Sequence, residues 1–204
     1  VDVADIVFNK YNCSFRVCAG IDERPLNGHF SLVHLFTDDK AGYYVVIKTY
    51  LSGDSPVAPS IVSAVPAANW CEMEARDLVG IEFRGREVYR LVLPPWWPSN
   101  LYPLRKDVPY NYRPEPRIES EKIGSSVEYG VIPLGPYHPT LHEPEYFELY
   151  VEGERIVDVK YRGFHVHRGI EKLAESRMSY QQINYLAERI CGIYGFVHST
   201  CYAL

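Results

Sequence analysis

Residues 29–50 read His29-Phe30-Ser31-Leu32-Val33-His34-Leu35-Phe36-Thr37-Asp38-Asp39-Lys40-Ala41-Gly42-Tyr43-Tyr44-Val45-Val46-Ile47-Lys48-Thr49-Tyr50. Two β-branched and aromatic runs flank a polar turn that closes on a glycine, which predicts a β-hairpin. Downstream, Ser60-Ile61-Val62 leads into Ala67-Ala68-Asn69-Trp70-Cys71-Glu72-Met73-Glu74-Ala75-Arg76-Asp77-Leu78, a stretch of good helix formers with Gly80 placed to end it. Glu72, Glu74, Arg76 and Asp77 are expected to form a solvated helix face with salt-bridge partners. Pro94-Pro95-Trp96-Trp97-Pro98 and Pro103 mark an extended segment. Residues 1–109 therefore read as one α/β block.

A polar stretch over 110–126, holding Pro114 and Pro116, is expected to be a linker. The second block, 127–204, opens on an expected strand from Glu128 to Leu134. Tyr146–Val151 and Arg155–Tyr161 flank Glu152-Gly153-Glu154, a second hairpin signal. Past Arg168 the pattern turns helical, with Ile170, Leu173, Ala174, Arg177 and Met178 near a period of 3.6. The fold class read from this order is α+β. Cys201-Tyr202-Ala203-Leu204 carries no helix stop signal, so the sequence is expected to break off inside a helix.

At 204 residues, 47% hydrophobic and 23% charged, the chain has the composition of a globular protein with one or two real cores. A net charge of −5 gives no reason to expect nucleic acid or an anionic membrane surface as a direct partner. No apolar run approaches the ~20 residues that span a bilayer, and Val1 opens no recognisable signal peptide. Cysteines at 13, 18, 71, 191 and 201 do not form a secreted-type framework, and reduced thiols in a cytoplasmic setting are expected.

Three stretches carry candidate chemistry. In Glu188-Arg189-Ile190-Cys191-Gly192-Ile193-Tyr194-Gly195-Phe196-Val197-His198 a thiol is followed by a histidine seven residues on. Thiolate is a soft ligand suited to nickel or iron, and the cation of Arg189 would favour it. The plain alternative is a packed cysteine. In Gly163-Phe164-His165-Val166-His167-Arg168-Gly169-Ile170-Glu171-Lys172, Glu171 is either a carboxylate favoured by a helix N-terminus or a proton carrier. In Gly135-Pro136-Tyr137-His138-Pro139-Thr140-Leu141-His142-Glu143-Pro144, His138 and His142 either share a pocket or are solvated loop tips. There is no phosphate cradle, serine elbow or HExxH.

At these residues the chain resembles a family. Arg189 to His198 is similar to the first metal-ligand motif of [NiFe]-hydrogenase large subunits, Arg-x-Cys-Gly-x-Cys-x-x-x-His, and Arg168-Gly169-Ile170-Glu171 to their Arg-Gly-x-Glu element. Gly163 to Glu175 and Gly135 to Pro139 resemble the energy-converting branch and the forty-nine-kilodalton subunit of complex I. Ala67 to Gly80 and Pro103-Leu104-Arg105-Lys106-Asp107 resemble the thirty-kilodalton subunit of complex I. Fusion of the two is the arrangement of formate hydrogenlyase and hydrogenase-4 large subunits, which Asp22 to His29 and Leu91 to Pro94 also fit. The likeness covers roughly residues 20–204.

The resemblance implies a domain over 1–109 like the thirty-kilodalton subunit, then the linker 110–126. Over 127–204 it implies the N-terminal part of a domain like the hydrogenase large subunit or the forty-nine-kilodalton subunit. It implies that Cys191 is a terminal ligand of a nickel–iron centre, that Glu171 takes the outgoing proton, that His198 lies beside the metal sulfur, and that Arg189 is a positive neighbour. His142 falls near the position of a quinone-contacting histidine in complex I. The implied partners are a small iron–sulfur subunit with a proximal cluster, a ferredoxin-like subunit and integral membrane subunits, with the assembly on the cytoplasmic face of the membrane. The implied reaction is reduction of protons to hydrogen, driven by formate oxidation.

One departure bears on the chemistry. Tyr194 stands where the second, bridging cysteine is expected. A phenol, with a pKa of ~10 and a hard oxygen, cannot replace a bridging thiolate. Cys201, ten residues past Cys191, is no stand-in on a helix. The second ligand pair of such enzymes lies near the end of a much longer subunit, so residues 1–204 are not expected to hold a complete [NiFe] centre. A second reading is therefore a degenerate relative in a complex I-like machine, with Tyr194 and His142 lining a pocket for quinone or another acceptor. A third is a structural module that docks the other subunits.

Overall fold

The computed structural model describes residues 1–115, 129–163 and 165–204. Most of the expected linker, Glu128 at the head of the expected strand, and Phe164 lie outside the described residues. The chain opens with α1 (Asp2–Asp5), a π-helical turn (Ile6–Lys10), β1 (Ser14–Asp22), α2 (Arg24–Asn27), β2 (Phe30–Asp38), β3 (Tyr43–Leu51) and β4 (Val57–Pro59). A 3-10 turn (Pro66–Ala68), α3 (Asn69–Val79) and β5 (Glu82–Arg84) follow. The second block holds β6 (Gly130–Leu134), β7 (Tyr146–Glu152), β8 (Arg155–Arg162), α4 (Ile170–Arg177), α5 (Tyr180–Ala187) and α6 (Gly195–Ala203). The architecture is mixed α+β, as the sequence predicts.

The quoted hairpin is β2 paired antiparallel with β3, from Phe30 opposite Leu51 to Asp38 opposite Tyr43. β1 adds to the other side of β2, which puts Cys18 opposite His34. Alternation sends Phe30, Leu32, His34 and Phe36 into the core. Phe30, Leu32, Leu78 and Ile81 are fully buried, each worth about 1.5–3 kcal/mol of apolar transfer. Burial pushes the His34 imidazole down to about 4, with the chain's amino terminus adding to the effect, so the ring packs as a neutral group.

Helix α3 crosses over between the parallel strands β4 and β5 and lies against β1. Gly20 permits the close approach: a Cβ there would stand 2.9 Å from Ile81 Cδ1 and 3.3 Å from the Ala75 Cβ. The helix ends at Gly80, which has φ +80°.

The face of α3 expected to be solvated has its salt-bridge partners, Arg86 for Glu72 and Arg76 for Asp77, but these two carboxylates face the core. Glu72 and Asp77 are wholly buried, with 0% and 1% of their surfaces exposed. Glu72 accepts from the Ile61 N–H and the Ser60 hydroxyl, each at 2.8 Å. Asp77 Oδ2 accepts the N–H groups of Leu91 and Val92, at 2.7 and 2.8 Å. These carboxylates satisfy backbone donors of segments that carry no regular structure of their own, which is why charge is tolerated in the core.

β6, β7 and β8 form an antiparallel meander, with the second hairpin turning at Gly153. The two blocks meet directly. Trp70 of α3 stacks on Tyr161 of β8. Lys172 of α4 donates to the Arg105 carbonyl at 2.8 Å, and Glu175 pairs with both Lys106 and Lys172. Burial and the neighbouring Lys106 charge push the Lys172 ammonium below its usual range.

Candidate functional site

A cleft of about 810 Å³ gathers residues from five parts of the chain. Trp70 comes from α3, Glu143 to Glu145 from the turn before β7, and Tyr161 from β8. Arg168 and Glu171 come from the start of α4, and Arg189 to Ile193 from the turn between α5 and α6. Three of the residues singled out by sequence, Glu171, Arg189 and Cys191, therefore share one cavity.

Cys191 is half-buried in a non-helical turn. Arg168 Nη2 holds that turn, donating to the carbonyls of Arg189 and Ile190 at 2.8 and 2.9 Å. The Arg189 guanidinium donates to the Tyr185 carbonyl at 2.7 Å and meets Glu188 at 3.2 Å. These contacts hold the side chain along the C-terminal end of α5. Glu171 stands 3.8 Å from His167 Nε2. His167 Nδ1 accepts the Gly169 N–H at 3.3 Å, which leaves the ring proton of the neutral imidazole on Nε2, facing Glu171.

His138 and His142 lie apart from Cys191, along a shallow groove of about 420 Å³ on the exposed loop before β7. Thr140 locks His138 at Nδ1, with its hydroxyl 2.8 Å away and its N–H donating at 3.3 Å. Glu143 and Pro144 line both this groove and the cleft, so the two adjoin. Tyr194 and His198 are not among the residues lining either. Tyr194 is 61% exposed as the residue ahead of α6, and its carbonyl accepts the His198 N–H at 3.2 Å. His198 is half-buried in the first turn of α6, and Cys201 is exposed further along it.

The donor set bears on the metal that the resemblance implies. Cys191 is the one thiol in the cleft, and among the described residues no three His, Cys, Asp or Glu come together to hold an ion. Residues 1–204 thus place one soft donor there, which does not make a complete nickel–iron centre.

Sequence reading missed Arg168 as the residue that shapes the cysteine turn, Trp70 and Tyr161 as the wall opposite, and the run Pro103–Asp107 as a joint. In that run the Leu104 N–H donates to the Leu78 carbonyl (2.9 Å) and Arg105 Nε to the Val79 carbonyl (2.8 Å), capping α3. The Lys106 N–H donates to Asp22 Oδ2 (2.8 Å), and Asp107 pairs with Arg24 (3.2 Å). Burial opposes ionisation of Asp22, but the Arg24 guanidinium and the N–H groups of Lys106 and Arg24 outweigh it and hold the carboxyl at about 2.

The family described as the 30 kDa subunit of respiratory-chain NADH dehydrogenase matches residues 1–114. The chain belongs to this family. The match takes in the first block, with the Asp22 joint and the α3 crossover. Among relatives, formate hydrogenlyase subunit 5 of Escherichia coli K12 is 42% identical over 98% of this chain and 37% of its own length. Hydrogenase-4 component G of the same organism is 44% identical over 98% of this chain and 38% of its own length. The NADH-quinone oxidoreductase C/D protein of Chromohalobacter salexigens is 32% identical over 91% of this chain and 36% of its own length. The chain thus spans little more than a third of the length of these relatives, while the match runs past the family domain into the block that carries Cys191. Among the described residues no helix is long and apolar enough to cross a membrane.

Proposed function

We propose that this chain belongs to the catalytic subunit of a membrane-associated, energy-converting hydrogenase of the formate hydrogenlyase type. In that assembly, protons are reduced to hydrogen with electrons from an iron–sulfur cluster in a partner subunit. The observation that carries the proposal is the cleft in which Glu171, Arg189 and Cys191 meet, in a chain similar over 98% of its length to formate hydrogenlyase subunit 5. Within it, Arg168 fixes the Cys191 turn, and Glu171, with His167 beside it, can hold or release a proton at the cleft wall. A nickel–iron centre would need thiolates besides Cys191, from outside this stretch. The partners are a small iron–sulfur subunit, a ferredoxin-like subunit and integral membrane subunits, and the chain sits peripherally on the cytoplasmic side.

A second reading is favoured by Tyr194 at the position of the bridging cysteine. There the complex delivers electrons to a quinone or another acceptor without nickel. Nickel and iron content, measured by plasma mass spectrometry on the full-length subunit purified with its natural partners, separates the two. About one nickel per subunit, with hydrogen evolution lost in Glu171→Gln, supports the hydrogenase. Absence of nickel sinks it and leaves the acceptor reading.

A further inference from the structure

Glu171 lines two cavities. One is the cleft with Cys191. The other, of about 360 Å³, lies between the blocks and is lined by Glu74 and Leu78 of α3, Cys18 to Asp22 of β1, Lys106, and Glu175 of α4. We propose that Glu74 is the proton acceptor that follows Glu171, so that protons pass between the Cys191 cleft and the first block through the cavity the two carboxyls share.

The charged groups around this cavity are not equivalent. Glu175 is tied to Lys106 and Lys172, and Asp22 to Arg24 and the Lys106 N–H. Those carboxylates are paired with cations. Glu74 is half-buried with neither a hydrogen bond nor an ion pair among the described residues. A further titratable group beside it is the Cys18 thiol on β1, which lines the same cavity. Burial raises the Glu74 carboxyl above its ordinary range, and the Glu171 charge raises it further. The two carboxyls thus line one cavity, and the charge of Glu171 favours the proton-bound form of Glu74.

The step is a simple proton transfer. Protonated Glu171 gives its proton to the Glu74 carboxylate, leaving Glu171 ionised and Glu74 neutral, and the reverse transfer supplies the cleft. The cavity exceeds by far the ~30 Å³ that one water occupies in the liquid, so a bridging water fits between the two groups. Helix α3 carries both ends of the arrangement: Trp70 walls the Cys191 cleft, and Glu74, one turn on, enters the second cavity.

This relay rests on the reading that the Cys191 cleft handles protons, but not on which product forms there. The test uses the intact complex bearing Glu74→Gln or Glu74→Asp. Product-forming turnover, as hydrogen evolution or acceptor reduction, should fall roughly tenfold or more in Glu74→Gln. Glu74→Asp should recover part of the loss, with dye reduction by the electron-input arm unchanged. Independently, difference infrared spectra should show a protonated carboxyl band that is absent in Glu74→Gln and titrates at lower pH in Glu171→Gln. Unchanged turnover in Glu74→Gln, or a Glu74 band indifferent to Glu171, overturns the relay. A complex without nickel that still loses acceptor turnover in Glu74→Gln retires the hydrogenase reading and keeps the relay.

Discussion

Trp70 of α3 and Tyr161 of β8 stack with centroids 5.3 Å apart and ring planes 11° from parallel. The pair joins the two blocks at the rim of the cleft, and Tyr161 is itself held by donating to Glu145 at 3.1 Å. A double-mutant cycle of Trp70→Ala and Tyr161→Ala, read by chemical denaturation, should give a coupling of about 0.5–1.5 kcal/mol beyond area burial. Additive losses would mean that the rings stack without holding the blocks.

Arg168 governs the cysteine turn through two carbonyls. Arg168→Ala should speed alkylation of Cys191, measured by mass spectrometry of labelled peptides, because the loop of Arg189 and Ile190 loses its anchor. Arg168→Lys should restore little, since an ammonium lacks the planar fork that reaches both acceptors.

Asp77 is the acceptor for two buried N–H groups. Asp77→Ala should destabilise the first block by about 2–4 kcal/mol, because the Leu91 and Val92 donors are left without partners in the core. Asp77→Asn keeps one acceptor oxygen and should cost less. Thermal unfolding of the two variants gives the comparison.

The Asp22 joint sets an acid limit. Its carboxyl is held at about 2, below the ordinary 3.8, so its contribution is fully present above pH 4 and is lost as pH falls through 2. The shift corresponds to on the order of 2 kcal/mol. Asp22→Asn should flatten the stability profile between pH 4 and pH 2, where the wild type declines.

Glu74 has the opposite sign. Its raised carboxyl makes the ionised form costly, a cost absent at pH 4 and below and growing as pH rises past the ordinary 4.5. Glu74→Gln should match the wild type in acid and exceed it in stability at neutral pH. Equal stability across the whole range would show that solvent already satisfies the carboxylate.

Local signals made much of the fold legible. The β2–β3 hairpin, α3 with its Gly80 stop, and the β7–β8 hairpin with Gly153 at the turn were each written within one contiguous stretch, where period and turn chemistry act. The pairing of β1 with β2 was not, because a strand's partner is chosen by burial rather than by its own residues. The capping box of Ser179 and Gln182 at the start of α5 was a readable signal that went unused.

By itself the sequence determined the identity and order of the motifs: the residues of the first block, then Arg168-Gly169-Ile170-Glu171, then Arg189 to His198. The tertiary structure decided which of them meet. It buried Glu72 and Asp77, whose partners lie 11 to 15 residues away and cannot be inferred from helical spacing. It bound Lys106 to Asp22 across 84 residues. It brought Glu171, Arg189 and Cys191 into one cleft while leaving Tyr194 in solvent and His138 and His142 along an adjoining groove. The reason is physical: periodicity records which face of an element is apolar, whereas the assembly of a site depends on contacts between elements whose hydrogen-bond partners are set only when the blocks pack.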